Sequence, residues 1–312
     1  MIVVGGEALV DRVVEHGTRR PVPGGGPVNT AIAHGRLGGP VGYLGTLSKD
    51  DYGGVLAGLL VEAGADMSLV RWSSAPTPLA VVHQHGGGAN TYTFRLAETA
   101  FADLPPEAVP ALPEDVWAIH VGTLALAIDP PAAAYEALIE REAGRRTIVL
   151  DPNVRPEVFG GRASYRARFE RIAGSATIVK LSEDDAAWIY PTLEPEEVIE
   201  RVLALGPRLV AITMGGDGAV AASADGYARV PAVPVTVMDT DGAGDTFGAA
   251  LLAALAERDA LELDASRPLD DALLEEAVAY AVTAAAITCT RMGAVPPSRA
   301  EIDAWIGSSQ SA

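Results

Sequence analysis

The stretch DTDGAGDTF (239–247), followed by GAALLAALA (248–256), is the part of this sequence that most constrains the fold and its site. It places an acidic turn with two glycines directly before an apolar segment of helical length. Gly242, Ala243 and Gly244 carry little or no side chain, so their backbone N–H groups can converge on a ligand. The first turn of the helix adds unpaired N–H groups and the positive end of the helix dipole. The segment therefore predicts an anion site at a helix N-terminus.

Asp245 is the unusual residue of this turn, because a carboxylate repels a bound phosphate. The segment alone leaves two interpretations open. Asp245 can cap the helix. It can instead act as a general base that takes a proton from a substrate hydroxyl, while the glycine turn stabilises the charge on a transferred phosphoryl group.

Other phosphate-binding motifs are missing from the sequence. It contains no Gly-Lys-Ser/Thr of a P-loop and no GxGxxG after a strand, and the GxSxG nucleophile elbow is also absent. A phosphate site in this chain has to use a different arrangement.

A second glycine cluster, PGGGPVN (23–29), precedes another predicted helix. Its glycines allow a ligand to approach the backbone, and Asn29 offers both a donor and an acceptor for a sugar hydroxyl. The alternative is a flexible loop with Asn29 as an ordinary helix residue. Asp11 follows the first predicted strand, where its carboxylate can accept two adjacent hydroxyls or simply be solvated.

Short β-branched runs alternate with longer helical patterns along the chain, which predicts a parallel sheet covered by helices on both faces. The predicted strands are 2–4, 41–44, 118–121, 147–150, 177–180 and 209–213, and the predicted helices are 28–37, 52–63, 131–143, 165–172 and 195–205. Residues 9–21 and 77–94 instead alternate polar and apolar side chains, with a glycine turn at 86–88. We interpret them as a small β lid, formed by about 9–23 and 76–98 of a single 1–312 domain.

Composition narrows the classes of function. A net charge of −18, from 23 basic and 41 acidic residues, excludes nucleic acid as the partner. The single cysteine, Cys289, excludes a disulfide framework and a multi-cysteine metal site. No signal peptide is recognised, and the longest apolar runs, such as 278–289, are shorter than a bilayer requires, so we expect a cytoplasmic protein with no membrane contact. His83 and His85 share a face of the lid but lack a third metal ligand, which favours surface or interface histidines.

Five motifs in this order resemble the ribokinase-type, or PfkB, carbohydrate kinases: GGEALVD (5–11), PGGGPVN (23–29), DPNVRP (151–156), ITMGGDGAV (212–220) and DTDGAGDTF (239–247). The resemblance spans nearly the whole chain. It implies a ribokinase-like three-layer α/β sandwich with a mostly parallel central sheet and a β lid. It also implies phosphoryl transfer from MgATP to a primary hydroxyl of a small sugar.

The resemblance assigns roles to individual residues. Asp245 would be the general base and Gly242, Ala243 and Gly244 the anion hole. The sugar would be held by Asp11, Gly25, Gly26, Asn29, Arg95 and Arg155. The ATP side would be formed by Lys180, Thr213, Gly215, Gly218 and Ala281, the last in place of the family's usual Asn.

The metal positions depart from the family pattern. The Asn-x-x-Glu motif associated with Mg²⁺ aligns with 182–185, where Asp185 stands at the last position, so we expect Mg²⁺ to be held mainly through waters and phosphates. A monovalent cation such as K⁺, common in the family, would lie by Asp239, Asp241, Thr288 and Gly293. Asp241 replaces the more usual Val or Thr.

The substrate remains the least determined property. The segment TYTFRLAETA (91–100) resembles the lid of fructokinases and 2-keto-3-deoxygluconate kinases, in which Arg95 would face the sugar and Arg155 the phosphate. We favour fructose, followed by 2-keto-3-deoxygluconate and then ribose or a nucleoside. A sugar or nucleotide sensor without catalysis is the alternative from another class. Apolar residues in the lid, such as Leu79 and Phe94, predict a homodimer formed through it.

Overall fold

Two sheets organise the chain in the computed structural model, which describes residues 1–15, 18–83, 91–159, 161–261 and 267–309. The larger sheet has the strand order β13-β12-β11-β10-β9-β8-β1-β4-β5, and the smaller one has the order β3-β2-β6-β7. The strands of the larger sheet are β1 (Ile2–Gly5), β4 (Val41–Ser48), β5 (Val70–Ser73), β8 (Ala118–Gly122), β9 (Thr147–Asp151), β10 (Ile178–Ser182), β11 (Leu209–Thr213), β12 (Ala219–Ser223) and β13 (Tyr227–Val230). The lid strands are β2 (Leu9–Glu15), β3 (Thr18–Gly24), β6 (Leu79–His83) and β7 (Thr91–Arg95).

The larger sheet is parallel from β5 to β11 and antiparallel where β12 and β13 are added at its edge. In β1, for example, Val3 pairs with Gly42 of β4 and Ile119 of β8. The prediction of a mostly parallel sheet is confirmed. Strand β12 is not predicted from the sequence because AVAAS (219–223) is rich in alanine, a weak strand former. The two edge strands β5 and β13 are not predicted either.

Helices cover both faces of this sheet, which gives the predicted three layers. They are α1 (Gly26–Arg36), α2 (Asp51–Glu62), α3 (Pro131–Glu142), α4 (Arg162–Ala173), α5 (Glu183–Ile189), α6 (Pro195–Leu203), α7 (Ala243–Ala256), α8 (Asp271–Cys289) and α9 (Arg299–Ser309). Ile2 and Val4 belong to the core under α1, α2, α7 and α8, whereas Val3 belongs to the core under α3 to α6. Because successive side chains of a strand point to opposite faces, β1 contributes residues to two apolar cores, one on each face of the sheet.

Helix α8 is the one helix among the described residues that is long and apolar enough to cross a membrane by length and composition. In the fold it packs against α7 and the antiparallel edge of the sheet, and 61% of its most apolar window is buried inside the protein. Its apolar character is therefore accounted for by the core.

The lid begins where β1 ends, because only Gly6, Glu7 and Ala8 separate β1 from β2. Gly6 is held to the larger sheet: its carbonyl accepts a hydrogen bond from the Tyr43 hydroxyl at 2.9 Å, and its N–H donates to Leu44 O at 3.3 Å. The lid strands occupy the two segments predicted for the lid, except that β3 ends at Gly24, one residue beyond the predicted limit of about 23. The side chain of His83 and all of His85 lie outside the described residues, so the hypothesis about them stays open.

Candidate active site

Asp245 lies where the N-termini of α1 and α7 meet at the carboxyl edge of the parallel sheet, the edge at which such folds bind ligands. Only 7% of this residue is exposed. Its Oδ2 accepts a hydrogen bond from Asn29 Nδ2 at 3.0 Å. A β-carbon added to Gly26 would lie 3.2 Å from its Oδ1. The two glycine motifs of the sequence therefore meet at one carboxyl group.

Burial raises the pKa of Asp245 to about 7, and the nearby Asp151 carboxylate adds to this effect. The hydrogen bond from Asn29 and the charge of Lys180 act in the opposite direction. A base is most effective when its pKa lies near the working pH. The environment of Asp245 suits proton transfer, which a residue that only capped the helix would not require.

Lys180 and Asp151 form a buried ion pair beside this carboxyl group, with 3.0 Å between Lys180 Nζ and Asp151 Oδ2. A β-carbon on Gly244 would lie 3.0 Å from Lys180 Nζ, so the ammonium lies directly under the predicted anion hole. Burial acts to lower the pKa of Lys180, but the neighbouring carboxylates more than offset this and the pKa is raised overall. Lys180 therefore supplies a fixed positive charge below the turn.

Among the described residues, the glycine turn before α7 leaves one of the three predicted amide donors available to a ligand, so a three-amide anion hole stays a prediction. Gly242 is left-handed, with φ 73°, and is the residue from which α7 starts. The Ala243 N–H makes a long 3.3 Å hydrogen bond to Thr240 O, and the Gly242 N–H is bonded to the Asp241 carboxylate. Of the three predicted amide donors, the Gly244 N–H is the one without a partner among the described residues.

We expect Gly242→Ala to lower kcat/KM by on the order of 100-fold, the loss that a misplacement of about 1 Å can cause. The added β-carbon would lie 2.5 Å from Ala294 Cβ and 3.0 Å from Ala294 Cα, so the turn and the facing loop have to separate. The matched control is Gly144→Ala, which has a similar left-handed φ of 71° but open space around the new methyl group. Gly144→Ala should lose about 1 kcal/mol of stability, and Gly242→Ala should lose more because of the contact with Ala294. Equal kcat/KM in the two variants would contradict this prediction.

Asp11 stands on the lid side of the site and is half-buried. Burial raises its pKa to about 6, the Asp241 carboxylate acts in the same direction, and Arg155 opposes both. A β-carbon on Gly24 would lie 2.5 Å from Asp11 Oδ2, so the glycine at this position leaves room for the carboxylate. Gly25, with φ 105°, is the N-cap residue of α1.

Arg155, rather than Arg95, is the arginine that the structure brings to this site. Its charge acts on Glu7, Asp11 and Asp241. Arg95 pairs with Leu79 in the lid, whereas Asp11 pairs with Ala80, the next residue of that strand. Because successive side chains of a strand point to opposite faces, Arg95 and Asp11 leave opposite faces of the lid. A sugar contact by Arg95 stays a prediction that this arrangement does not support.

The residues predicted for the ATP side divide into two groups. Thr213, Gly215 and Gly218 lie together at the carboxyl end of β11, and a β-carbon on Gly218 would lie 2.0 Å from Val230 O, so only glycine fits there. Ala281 has 0% exposure and packs inside the core, so its methyl group does not line a nucleotide site in this conformation. The prediction of Ala281 as a purine contact overlooked which face of α8 it occupies.

The predicted cation positions form a network of their own. Asp239 accepts the Asp241 N–H at 3.1 Å and the Gly293 N–H at 2.9 Å, and so joins the glycine turn to the loop after α8. The Thr288 hydroxyl is buried and bonded to Thr246 and Ala284. A monovalent cation at this place stays a prediction.

Asp185 is fully engaged within the protein. Its two carboxylate oxygens accept the Val154 N–H at 2.6 Å and the Ser182 N–H at 2.8 Å. It completes the capping box at the start of α5, and 3% of it is exposed. These contacts do not suit direct ligation of Mg²⁺. No cluster of three or more His, Cys, Asp or Glu side chains suited to a metal occurs within the described ranges.

Four residues that received no role in the sequence analysis contribute to the site: Glu7, Thr123, Asp151 and Asn153. The available signal was position, because Glu7 and Asp151 are acidic residues at or just beyond the carboxyl ends of buried strands. Thr123 gave no signal, since its importance depends on a left-handed backbone that a threonine seldom adopts.

Comparison with known proteins identifies the family of this chain. The family model for pfkB family carbohydrate kinases matches residues 5–301. A fructokinase of Rhizobium leguminosarum bv. trifolii is 38% identical over 260 residues, which cover 82% of this chain and 79% of that protein.

Two crystal structures superimpose on almost the whole chain. Fructokinase from Xylella fastidiosa with bound ATP gives a TM-score of 0.89 at 25% identity, with 99% of this chain and 98% of that chain covered. Fructokinase from Vibrio cholerae O395 in its fructose, ADP and calcium ion bound form gives 0.83 at 27% identity, with 97% of each chain covered. With the family model matching residues 5–301 and a relative 38% identical over 82% of this chain, the chain belongs to the pfkB family of carbohydrate kinases.

Proposed function

We propose that the protein is an ATP-dependent fructokinase. The observation that carries the proposal is the buried Asp245 carboxyl group, bonded to Asn29 and placed next to an unpaired amide and a buried ammonium. Relatives and structural neighbours with fructokinase activity in their names support fructose as the acceptor.

In the proposed reaction a primary hydroxyl of the sugar lies against Asp245 and in line with the terminal phosphorus of ATP. The hydroxyl oxygen forms a bond to this phosphorus while the bond to the β–γ bridging oxygen breaks, and ADP leaves with that electron pair. The hydroxyl proton passes to Asp245. The Gly244 N–H and the Lys180 charge stabilise the transferring group, a role that suits the loose transition state of phosphoryl transfer.

Mg²⁺ enters this scheme as part of the MgATP substrate, where it would neutralise phosphate charge. The engagement of both Asp185 oxygens by backbone donors fits an ion held mainly through phosphates and waters. A requirement for K⁺, the homodimer through the lid and a cytoplasmic location stay predictions from the sequence.

The charge of the site favours a neutral sugar over 2-keto-3-deoxygluconate. Within the described part of the chain, the carboxyl groups that interact electrostatically around Asp245 and Asp11 outnumber the nearby cations, Arg155 and Lys180. Lys180 is already paired with Asp151. A sugar carboxylate entering here would face like charges, which raises the free energy of its binding.

The test is ADP release with MgATP and KCl across fructose, 2-keto-3-deoxygluconate, ribose, tagatose and adenosine. We expect kcat/KM for fructose to exceed that of every other acceptor by at least about tenfold, the discrimination that one unmatched polar contact gives. A higher kcat/KM for 2-keto-3-deoxygluconate would overturn the assignment of the sugar. Sugar binding that is detected by calorimetry but is not accompanied by ADP release would favour the alternative of a sugar or nucleotide sensor without catalysis.

A further inference from the structure

Glu7 is a buried carboxyl group that the proposed reaction does not use. It lies between β1 and the lid strand β2, and 3% of it is exposed. Its Oε1 accepts a hydrogen bond from the Thr123 hydroxyl, and the Ala125 N–H also bonds to the carboxyl group. Its Oε2 is buried without a partner among the described residues. Burying a carboxyl oxygen without a hydrogen-bond partner raises the free energy of the folded state, so we expect Glu7 to have a role that offsets this cost.

The partner of Glu7 is held in an unusual backbone conformation. Thr123 has φ 58°, a left-handed value that a β-branched residue seldom adopts. Such a residue persists only where surrounding contacts fix it, and these residues concentrate at functional sites. Thr123 and Ala125, both in the turn after β8, donate hydrogen bonds to Glu7, so this carboxyl group is bonded to the turn at two points.

Thr123 in turn lies beside Gly26, the glycine that also faces the Asp245 carboxyl group. A β-carbon on Gly26 would lie 2.7 Å from Thr123 Cγ2, 3.2 Å from Asn153 Nδ2 and 3.2 Å from Asp245 Oδ1. The Thr123 methyl group and the catalytic carboxylate therefore lie against the same glycine. Asn153, like Thr123, has a positive φ, here 39°.

We propose that Glu7 is a positioning residue for the phosphoryl acceptor: it holds Thr123 in its left-handed conformation, so that the Thr123 methyl group closes one side of the space beside Asp245. This inference rests on the proposed sugar kinase activity and adds to it the group that limits where the acceptor hydroxyl can lie. Glu7 acts through Thr123. No hydrogen bond joins Glu7 to Asp245 in the described part of the chain.

The test compares changes at the two ends of the hydrogen bond between Thr123 and Glu7. We expect Glu7→Leu and Thr123→Val each to lower kcat/KM for the sugar by 10- to 100-fold, since a misplaced acceptor loses rate on that order. KM for ATP should change less than about twofold, because the ATP side lies at the end of β11. Glu7→Gln should recover most of the loss, because the amide oxygen still accepts the Thr123 hydroxyl.

Two further measurements separate positioning from general damage to the fold. The double variant E7L/T123V should be no worse than either single variant, since both remove the same bond. Thr147→Val is the matched control: its buried hydroxyl bonds Leu261 O at the opposite end of β9, so it should lose stability without losing kcat/KM. If Glu7→Leu does not fold, the positioning role is tested by comparing kcat/KM of Thr123→Val with kcat/KM of Thr147→Val.

Wild-type activity in a folded Thr123→Val variant, or additive losses in the double variant, would overturn the positioning role. Failure of the proposed function is distinguishable, because it shows in the wild-type protein as absence of turnover with fructose. In that case the ratio of kcat/KM between each variant and the wild type is measured with whichever acceptor gives the highest kcat/KM.

Discussion

Replacing Asp245 with Asn is expected to reduce kcat by at least about 1,000-fold, because an amide cannot take up the proton of the acceptor hydroxyl and general bases contribute roughly 100- to 10,000-fold. Binding of the sugar should persist, since Asn29 can still donate to the new amide oxygen. The measurement is ADP release together with calorimetric titration of fructose. If the variant kept about a tenth of the wild-type kcat, Asp245 would not be the general base.

The same substitution is expected to stabilise the ligand-free protein at neutral and alkaline pH. Because folding raises the pKa of Asp245 from 3.8 to about 7, the protonated carboxyl group favours the folded state below pH 4, and this contribution is lost as the pH rises through 7. The amide in Asp245→Asn does not ionise, so the variant does not lose this contribution to its stability. At about 1.4 kcal/mol per pKa unit, the variant should gain up to about 4 kcal/mol relative to the wild type between pH 4 and pH 8.

Urea unfolding at pH 5 and pH 8 tests this expectation. The control is Asp225→Asn, which changes an exposed aspartate in the turn between β12 and β13. The stability difference between Asp245→Asn and the wild type should grow with pH, whereas that of the control should not. A difference that stays constant would mean that burial of Asp245 carries no electrostatic cost.

Lys180→Met is the second substitution with a large expected effect. It leaves the Asp151 carboxylate buried without its partner, and breaking a buried ion pair in this way costs about 3–5 kcal/mol. It also removes the positive charge under Gly244, so we expect kcat to fall by about 100-fold or more. Thermal unfolding and ADP release measure the two effects.

The double variant D151N/K180M separates these effects. Without the Asp151 charge, most of the lost stability should return, since replacing a buried ion pair by neutral groups is often close to neutral. The activity should stay low, because the positive charge is still missing. Recovery of activity along with stability would show that Lys180 acts only through the fold.

Structural features that are set by residues close together in the chain can be predicted from local sequence patterns. The alternation of buried strands and helices predicts the parallel sheet, and the run of small residues at 242–244 predicts the turn before α7. The assignment of Asn29 to the same site as Asp245 comes instead from the family resemblance, and the structure places a 3.0 Å hydrogen bond between the two side chains.

Features that depend on tertiary contacts were not accessible in the same way. The pairing of Lys180 with Asp151 joins two neighbouring strands, and neither residue identifies the other in the sequence. The faces of Arg95 and Ala281 are set by lid register and by helix packing. For Asp185, the sequence shows a carboxylate near a predicted metal site, whereas only the structure shows that both of its oxygens accept backbone N–H groups.

The short connection from β1 to the lid ties two parts of the site together. Tyr43 and Leu44 hydrogen-bond Gly6 to the larger sheet, and Asp11 belongs to the lid strand β2. Glu7 therefore lies at the junction of sheet and lid, where its carboxyl group also bonds the turn that carries Thr123. The wall beside Asp245 is thus joined to the same short segment that leads to Asp11, so a change at Glu7 should affect the binding of the acceptor as well as its alignment.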